Sequence, residues 1–241
     1  MRKSIIALLI TLTPVLVSAA GAVQLDRANI DPTNRESLQK GAKYFVNYCL
    51  SCHSASYMRY NRMARDLGLS EMDVEKNMMF ATEKVGNTMD VNMTDEDAKV
   101  WFGTKVPDLT VIARSRSIDW LYTYLRSFYA DDSRPFGANN TAFPDVAMPH
   151  VLWELQGMQK LTNKEAVHTG SAAPEFEITS QGSMTPREYD KAVRDLVNFL
   201  DYMGEPAKQK RQALGIYVLL FLFLFLIVAY AMKKEYWKDI H

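Results

Sequence analysis

A mostly α-helical domain with long loops, carrying one C-terminal transmembrane helix, is the fold class this sequence predicts. Three observations lead there. Capped stretches repeat apolar residues at helical spacing, and no sustained period-2 alternation appears. Leu214 to Met232 run without a single charge. The composition, 48% apolar and 23% charged over 241 residues, is that of a globular protein and excludes a disordered or fibrous one.

The chain opens on Met-Arg-Lys, continues with an apolar run from Ile5 to Val17, and then reads Ser18-Ala19-Ala20-Gly21-Ala22. A positive start, a short apolar stretch and small residues are the three parts of a secretory signal. Cleavage after Ala20 or after Ala22 fits, so residues 1–22 are expected to be removed and the body exported. The run is shorter than the roughly 20 residues a membrane span needs. Residues 23–207 remain as the body, 185 residues, enough for one domain with a core. The whole chain is neutral, but this body holds 20 basic and 26 acidic residues, a net charge of −6. Such a surface argues against nucleic acid and favours basic partners.

Within the body, Arg35 to Tyr48 reads as a helix with Leu38, Ala42, Phe45 and Val46 on one side. Asp95 to Phe102 and Ile118 to Tyr129 are two further helix candidates. Glycine, proline and polar residues from Pro135 to Ser183 predict loop. The best-marked helix starts at the capping box Thr185-Pro186-Arg187-Glu188. Its apolar residues Tyr189, Val193, Leu196, Val197, Leu200 and Met203 recur at helical spacing, and Gly204 with Pro206 ends it.

Both cysteines of the chain lie in Cys49-Leu50-Ser51-Cys52-His53. Two lone cysteines in an exported protein ordinarily suggest a disulfide. The adjoining His53 changes the reading, because Cys-x-x-Cys-His is the attachment pattern for a c-type haem. Two intervening residues let both thiols reach the haem vinyl groups from one turn, and the next residue aims an imidazole at the iron. A thioredoxin-like pair needs a strand–helix context, whereas the segment before Cys49 reads as helix. A zinc site needs four ligands, and no second cysteine pair is available to supply them.

The sixth iron position separates electron carriers from gas binders and catalysts. Thirteen methionines make composition useless for choosing. Those at helical spacing, such as Met63 and Met203, belong to a core. Met148 stands apart in Phe143-Pro144-Asp145-Val146-Ala147-Met148-Pro149, a proline-bracketed loop able to present a thioether to a flat ring. His150 is its rival, with Met158 and Met184 weaker.

The 19 residues from Leu214 to Met232 span about 28 Å as a helix, the thickness of a hydrocarbon core. Tyr217, Tyr230 and Trp237 sit near its ends, where amphipathic rings prefer the interface. Lys208, Lys210 and Arg211 balance Lys233, Lys234 and Lys238, so flanking charge sets no orientation. The export signal does: residues 208–232 anchor the chain and a tail, 233–241, stays inside.

Taken together, Cys49-x-x-Cys52-His53, Pro107-Asp108-Leu109-Thr110, Arg114-Ser115-Arg116, Ala147-Met148-Pro149 and the C-terminal span resemble one family. It is cytochrome c1, the haem subunit of the ubiquinol–cytochrome c reductase (cytochrome bc1) complex, in its compact bacterial form. The 94 residues between His53 and Met148 agree with that. The resemblance implies one covalently attached haem c, with His53 as proximal and Met148 as distal ligand. Pro107 would pack against the haem edge and Arg116 would pair with a propionate. Trp120 lies near the family's aromatic position, although the intervening segment is shorter here. His150 stands where relatives often have another proline, and no second cysteine pair supports the long loop.

The implied function is electron transfer in the inner membrane, the haem domain facing the periplasm. One electron would come from the Rieske iron–sulfur protein and leave to a cytochrome c acceptor. Cytochrome b and the lipid bilayer are the other implied partners. No substrate bond is made or broken on this chain alone. Rival readings are another membrane-anchored monohaem cytochrome, such as an oxidase subunit or tethered shuttle, and a haem sensor.

Overall fold

A computed structural model describes residues 24–168 and 172–238. The expected signal, 1–22, and its cleavage sites lie outside the described residues.

The first helix, α1 (Arg35–Tyr44), starts where Asn34 accepts the amide of Ser37 at 3.0 Å. It runs into one widened π-helical turn, Phe45–Cys49, so the helix expected to reach Tyr48 extends as far but changes its winding. Such turns recur at functional sites because they re-aim the side chains that follow. A short strand β1 (Ala55–Arg59) leads to α2 (Tyr60–Leu67) and α3 (Glu71–Asn77), and β2 (Thr88–Met89) returns antiparallel to β1. The predicted acidic helix is present as α4 (Asp95–Phe102), its first turn closed by a capping box of Thr94 and Asp97.

Two helices, α5 (Ile112–Arg116) and α6 (Ile118–Arg126), meet at Ser117, whose φ of 85° lies in the region that disfavours side chains. The kink is capped by the Ser117 hydroxyl, which accepts the Trp120 amide at 3.2 Å. The helix expected to continue to Tyr129 ends at Arg126, because β3 (Phe128–Ala130) pairs with β4 (Ala138–Asn140).

The loop expected from Pro135 to Ser183 is a second correction. Beyond β4 it holds α7 (Trp153–Gln156), β5 (Gly157–Leu161), α8 (Lys164–His168) and β6 (Phe176–Gln181), with β5 and β6 forming an antiparallel hairpin. β6 is almost wholly exposed, so its polar residues suit a solvated strand as well as a loop. Gly157, which reads as a loop signal, serves close backbone approach. A Cβ there would lie 2.1 Å from the Ser180 carbonyl oxygen.

The long helix α9 (Pro186–Gly204) opens with the predicted capping box of Thr185 and Glu188. All six predicted apolar positions, from Tyr189 to Met203, are buried. Helices α1 and α9 pack closely enough that a Cβ on Gly41 would sit 2.1 Å from the Asp195 carbonyl oxygen. Around that crossing Ser37 Oγ donates to Asp195 at 2.6 Å and Phe45 meets Phe199 at 5.6 Å between ring centres. Helix α6 joins the same core. Tyr189 donates to the Leu125 carbonyl at 2.8 Å, and Arg126 pairs with Asp190 at 2.6 Å. Thus α1 and its π turn, α6 and α9 frame one side of the domain.

The last helix, α10 (Lys208–Tyr236), leaves the domain with its apolar side chains exposed. Lys210–Tyr236 is long and apolar enough to cross a membrane, with none of its most apolar window buried. Stripped of lipid, so much apolar surface would face water, which explains the helix as a membrane anchor.

Candidate haem site

The π turn hands the chain to the Cys49–His53 segment, which wraps tightly. The amides of Cys52 and His53 both donate to the Cys49 carbonyl, at 3.1 and 2.9 Å. Both sulfurs and the imidazole thereby issue from a single turn. Burial, with Cys52 nearby, pushes the Cys49 thiol up to about 12. That is the reverse of the lowered thiol pKa a thioredoxin-like pair uses.

Pro107-Asp108-Leu109-Thr110 is stitched along the residues after His53. The Leu109 amide donates to Ser54 O at 2.8 Å, and Asp108 accepts the amides of Ser56 and Thr110, each at 2.8 Å. Burial alone would push the Asp108 carboxyl up. Hydrogen bonds from Thr110 and Ser56 outweigh it and hold the group below its ordinary value. The stitched segment delivers the Pro107 carbonyl oxygen to within 2.8 Å of His53 Nδ1. A carbonyl can only accept, so Nδ1 bears the proton and Nε2 keeps its lone pair. Burial also lowers the His53 pKa, against the opposing pull of that hydrogen bond, and favours the neutral ring that binds metals.

Cys49, Cys52, His53, Pro107, Arg116 and Met148 all line one cavity of about 370 Å³, within the usual range for cofactor pockets. Val106, Leu109, Ile112, Leu196 and Leu200 make the rest of the wall largely apolar. The fit to a haem is chemical as well as spatial. Two thiols, an imidazole nitrogen with a free lone pair and one soft thioether converge on a greasy slot. Met148 is the one methionine lining the cavity among the described residues. His150, Met158 and Met184 do not line it; His150 is buried with its ring stacked on Phe128 at 5.0 Å.

The loop that carries Met148 is held by hydrogen bonds in place of a disulfide. Asn139 Oδ1 accepts the Asp145 amide at 2.9 Å, and Asn140 Oδ1 accepts the amides of Ala142 and Phe143 at 2.8 and 3.1 Å. Arg134 reaches the Asp145 carbonyl at 2.7 Å. Asn140 also donates to the Tyr124 carbonyl at 2.8 Å, tying the loop to α6. At the cavity mouth the Arg116 guanidinium lies over the Trp120 ring at 5.1 Å and near the Phe143 ring at 5.8 Å. Trp120 lines the cavity too.

The sequence reading missed Tyr124, Asn139, Asn140 and Arg134. One signal was available for Tyr124: it follows Trp120 by four residues, and the two rings stack at 4.9 Å on one helix face.

Comparison with known families matches residues 28–240 to the Cytochrome C1 family. The chain is 50% identical over 245 residues to cytochrome c1 of Allochromatium vinosum, covering the whole of both. It is 49% identical over 235 residues to the ammonia monooxygenase gamma subunit of Nitrosomonas europaea, covering 97% of each. Cytochrome c1 of Rhodospirillum rubrum is 23% identical over 238 residues, which cover 86% of this chain and 83% of that one. With the haem-compatible cavity and the apolar C-terminal helix, these matches place the chain in the cytochrome c1 family.

Proposed function

We propose that this chain is the electron-carrying haem subunit of a cytochrome bc1 complex, taking one electron from the Rieske iron–sulfur protein and passing it to a cytochrome c. The observation that carries the proposal is the single cavity walled by Cys49, Cys52, His53 and Met148. Cys49 and Cys52 would hold one haem c through thioether links, and His53 and Met148 would supply the two ligands to its iron. Bound there, the haem supplies a one-electron couple whose potential His/Met ligation keeps relatively high. The protein's own work is positional. The Pro107 carbonyl fixes the His53 tautomer, the asparagine-pinned loop presents the Met148 sulfur, and the aliphatic wall keeps water out. Arg116 supplies a cation at the mouth for a propionate.

In this reading residues 1–22 direct export, 23–207 form the periplasmic domain, 208–232 cross the inner membrane beside cytochrome b, and 233–241 stay in the cytoplasm. Ending the chain after Glu205 keeps the Arg114–Glu205 ion pair (3.6 Å) and every cavity residue while deleting α10. The expected product is a soluble, red, periplasmic protein with the native spectrum. It does not restore quinol oxidation, because the span also packs against partner helices. Quinol–cytochrome c reductase activity in membranes of the truncated strain, at the level of the full chain, would overturn this assignment.

The acidic body suggests how a basic cytochrome c is drawn in. Acidic residues cluster at Glu71-Asp73-Glu75, at Asp90 with Asp95-Glu96-Asp97, and at Asp131-Asp132, and of these Asp131 is committed internally. Hydrogen bonds from Ser133 and Asn139, with Lys164 nearby, hold its carboxyl at about 2. Asp95, Glu96 and Asp97 open α4, Asp95 paired with Lys105 at 2.6 Å, and the last residue of the helix, Phe102, lines the cavity. Long-range attraction toward such a face should make stopped-flow electron-transfer rates fall as salt rises, with a Debye length of about 10 Å at 0.1 M. Rates independent of ionic strength would point to a tethered or uncharged acceptor.

The Nitrosomonas relative, an ammonia monooxygenase gamma subunit by name, supplies a second reading, a subunit of a monooxygenase. Isolation of the native assembly separates the two: cytochrome b and a Rieske protein support the first, and a monooxygenase without them supports the second.

A further inference from the structure

Tyr124 is buried in the last turn of α6 and lines the cavity, and its hydroxyl lies 3.3 Å from the Met148 sulfur. Its ring is clamped. Trp120 stacks on it at 4.9 Å, nearly parallel, and Phe128 meets it edge-on at 5.1 Å. Asn140 fixes the pair from behind, donating to the Tyr124 carbonyl while its own oxygen accepts two amides of the Met148 loop. Asn140 thus ties the Tyr124 backbone to the start of the Met148 loop, which Asn139 and Arg134 hold further along.

A thioether sulfur has two lone pairs. We propose that Tyr124 is a positioning residue for Met148: one lone pair faces the iron, and the Tyr124 hydroxyl donates to the other. The inference rests on the reading of Met148 as axial ligand. The hydrogen bond holds the methionine in one rotamer and draws electron density from the sulfur. A poorer donor stabilises ferric iron less, while ferrous iron, which asks less of the sulfur, is little affected. The contact therefore raises the midpoint potential, adding to what His/Met ligation already provides.

The test uses the full chain in native membranes or in the purified complex. Tyr124→Phe keeps the ring, and with it the stacking on Trp120 and the edge contact with Phe128, and deletes only the donor. Covalently held haem and the far-red methionine–iron band should persist, with the band displaced. The midpoint potential should fall, the ferrous-to-ferric equilibrium moving by up to about tenfold, or ~59 mV for one electron. An unchanged potential and an unmoved band overturn the inference. Met148→Leu, run in parallel, separates this from failure of the underlying reading. If that variant keeps the far-red band, the ligand assignment is wrong; if it loses the band while Tyr124→Phe changes nothing, only the role of Tyr124 falls. Should Tyr124→Phe fail to accumulate, resonance Raman spectra of the unmodified chain in H2O and D2O read the same contact. A deuterium shift of the iron–sulfur mode supports the hydrogen bond, and its absence contradicts it.

Discussion

Met148→Leu is expected to lower the midpoint potential of the bound haem by an amount on the order of hundreds of millivolts and to abolish the far-red ferric methionine–iron band. Leucine keeps the side-chain bulk, so the cavity wall survives while the soft ligand is lost. Each 100 mV is about 2.3 kcal/mol for one electron, enough to make transfer from a Rieske centre uphill. Cys49 and Cys52 are untouched, so haem content should stay at the wild-type level. His150 lies two residues away and is buried against Phe128, not in the cavity wall. A rearranged loop could nevertheless bring it in, so the double variant with His150→Ala is the cleaner probe. Retention of both band and potential in Met148→Leu would remove Met148 from the ligand set.

The second large effect concerns attachment. Replacing both Cys49 and Cys52 by Ser should eliminate all haem that survives denaturation, and each single replacement should leave one thioether link. The physical basis is local. Both sulfurs leave the same turn, fixed by the paired amides of Cys52 and His53 on one carbonyl, and both line the cavity. Haem-stained denaturing gels give the readout. Haem that stays with the double variant through denaturation would mean that attachment does not run through these thiols.

Those two experiments probe residues that were legible without coordinates, and others were not. The Cys49–His53 motif, the α9 stripe, the Thr185–Glu188 box and the Leu214–Met232 run declare themselves because each is a short-range pattern with a physical period or spacing. The resemblance implies that Pro107 packs against the haem edge; the structure adds a contact made by its backbone oxygen, which no side-chain identity reveals. The Tyr124–Met148 contact joins residues 24 apart, and the Asn139–Asn140 pair acts through the loop that follows it. Both depend on how β3, β4 and α6 come together. The β5–β6 pairing escaped for a different reason: in the exposed β6 the alternation of Phe176 and Ile178 with Glu177 and Thr179 stops at Ser180 and is too short to read.

In the proposed role the chain works between a Rieske centre and a cytochrome c inside a quinol-oxidising complex. The most direct measurement is to draw the full chain, tagged after His241, out of native membranes in mild detergent, add quinol, and follow the spectrum of its haem. Cytochrome b and a Rieske protein should come with it, quinol should reduce the c-type haem, and added cytochrome c should reoxidise it. Recovery without cytochrome b, or a c-type haem that stays oxidised when quinol is added to the intact assembly, would contradict it.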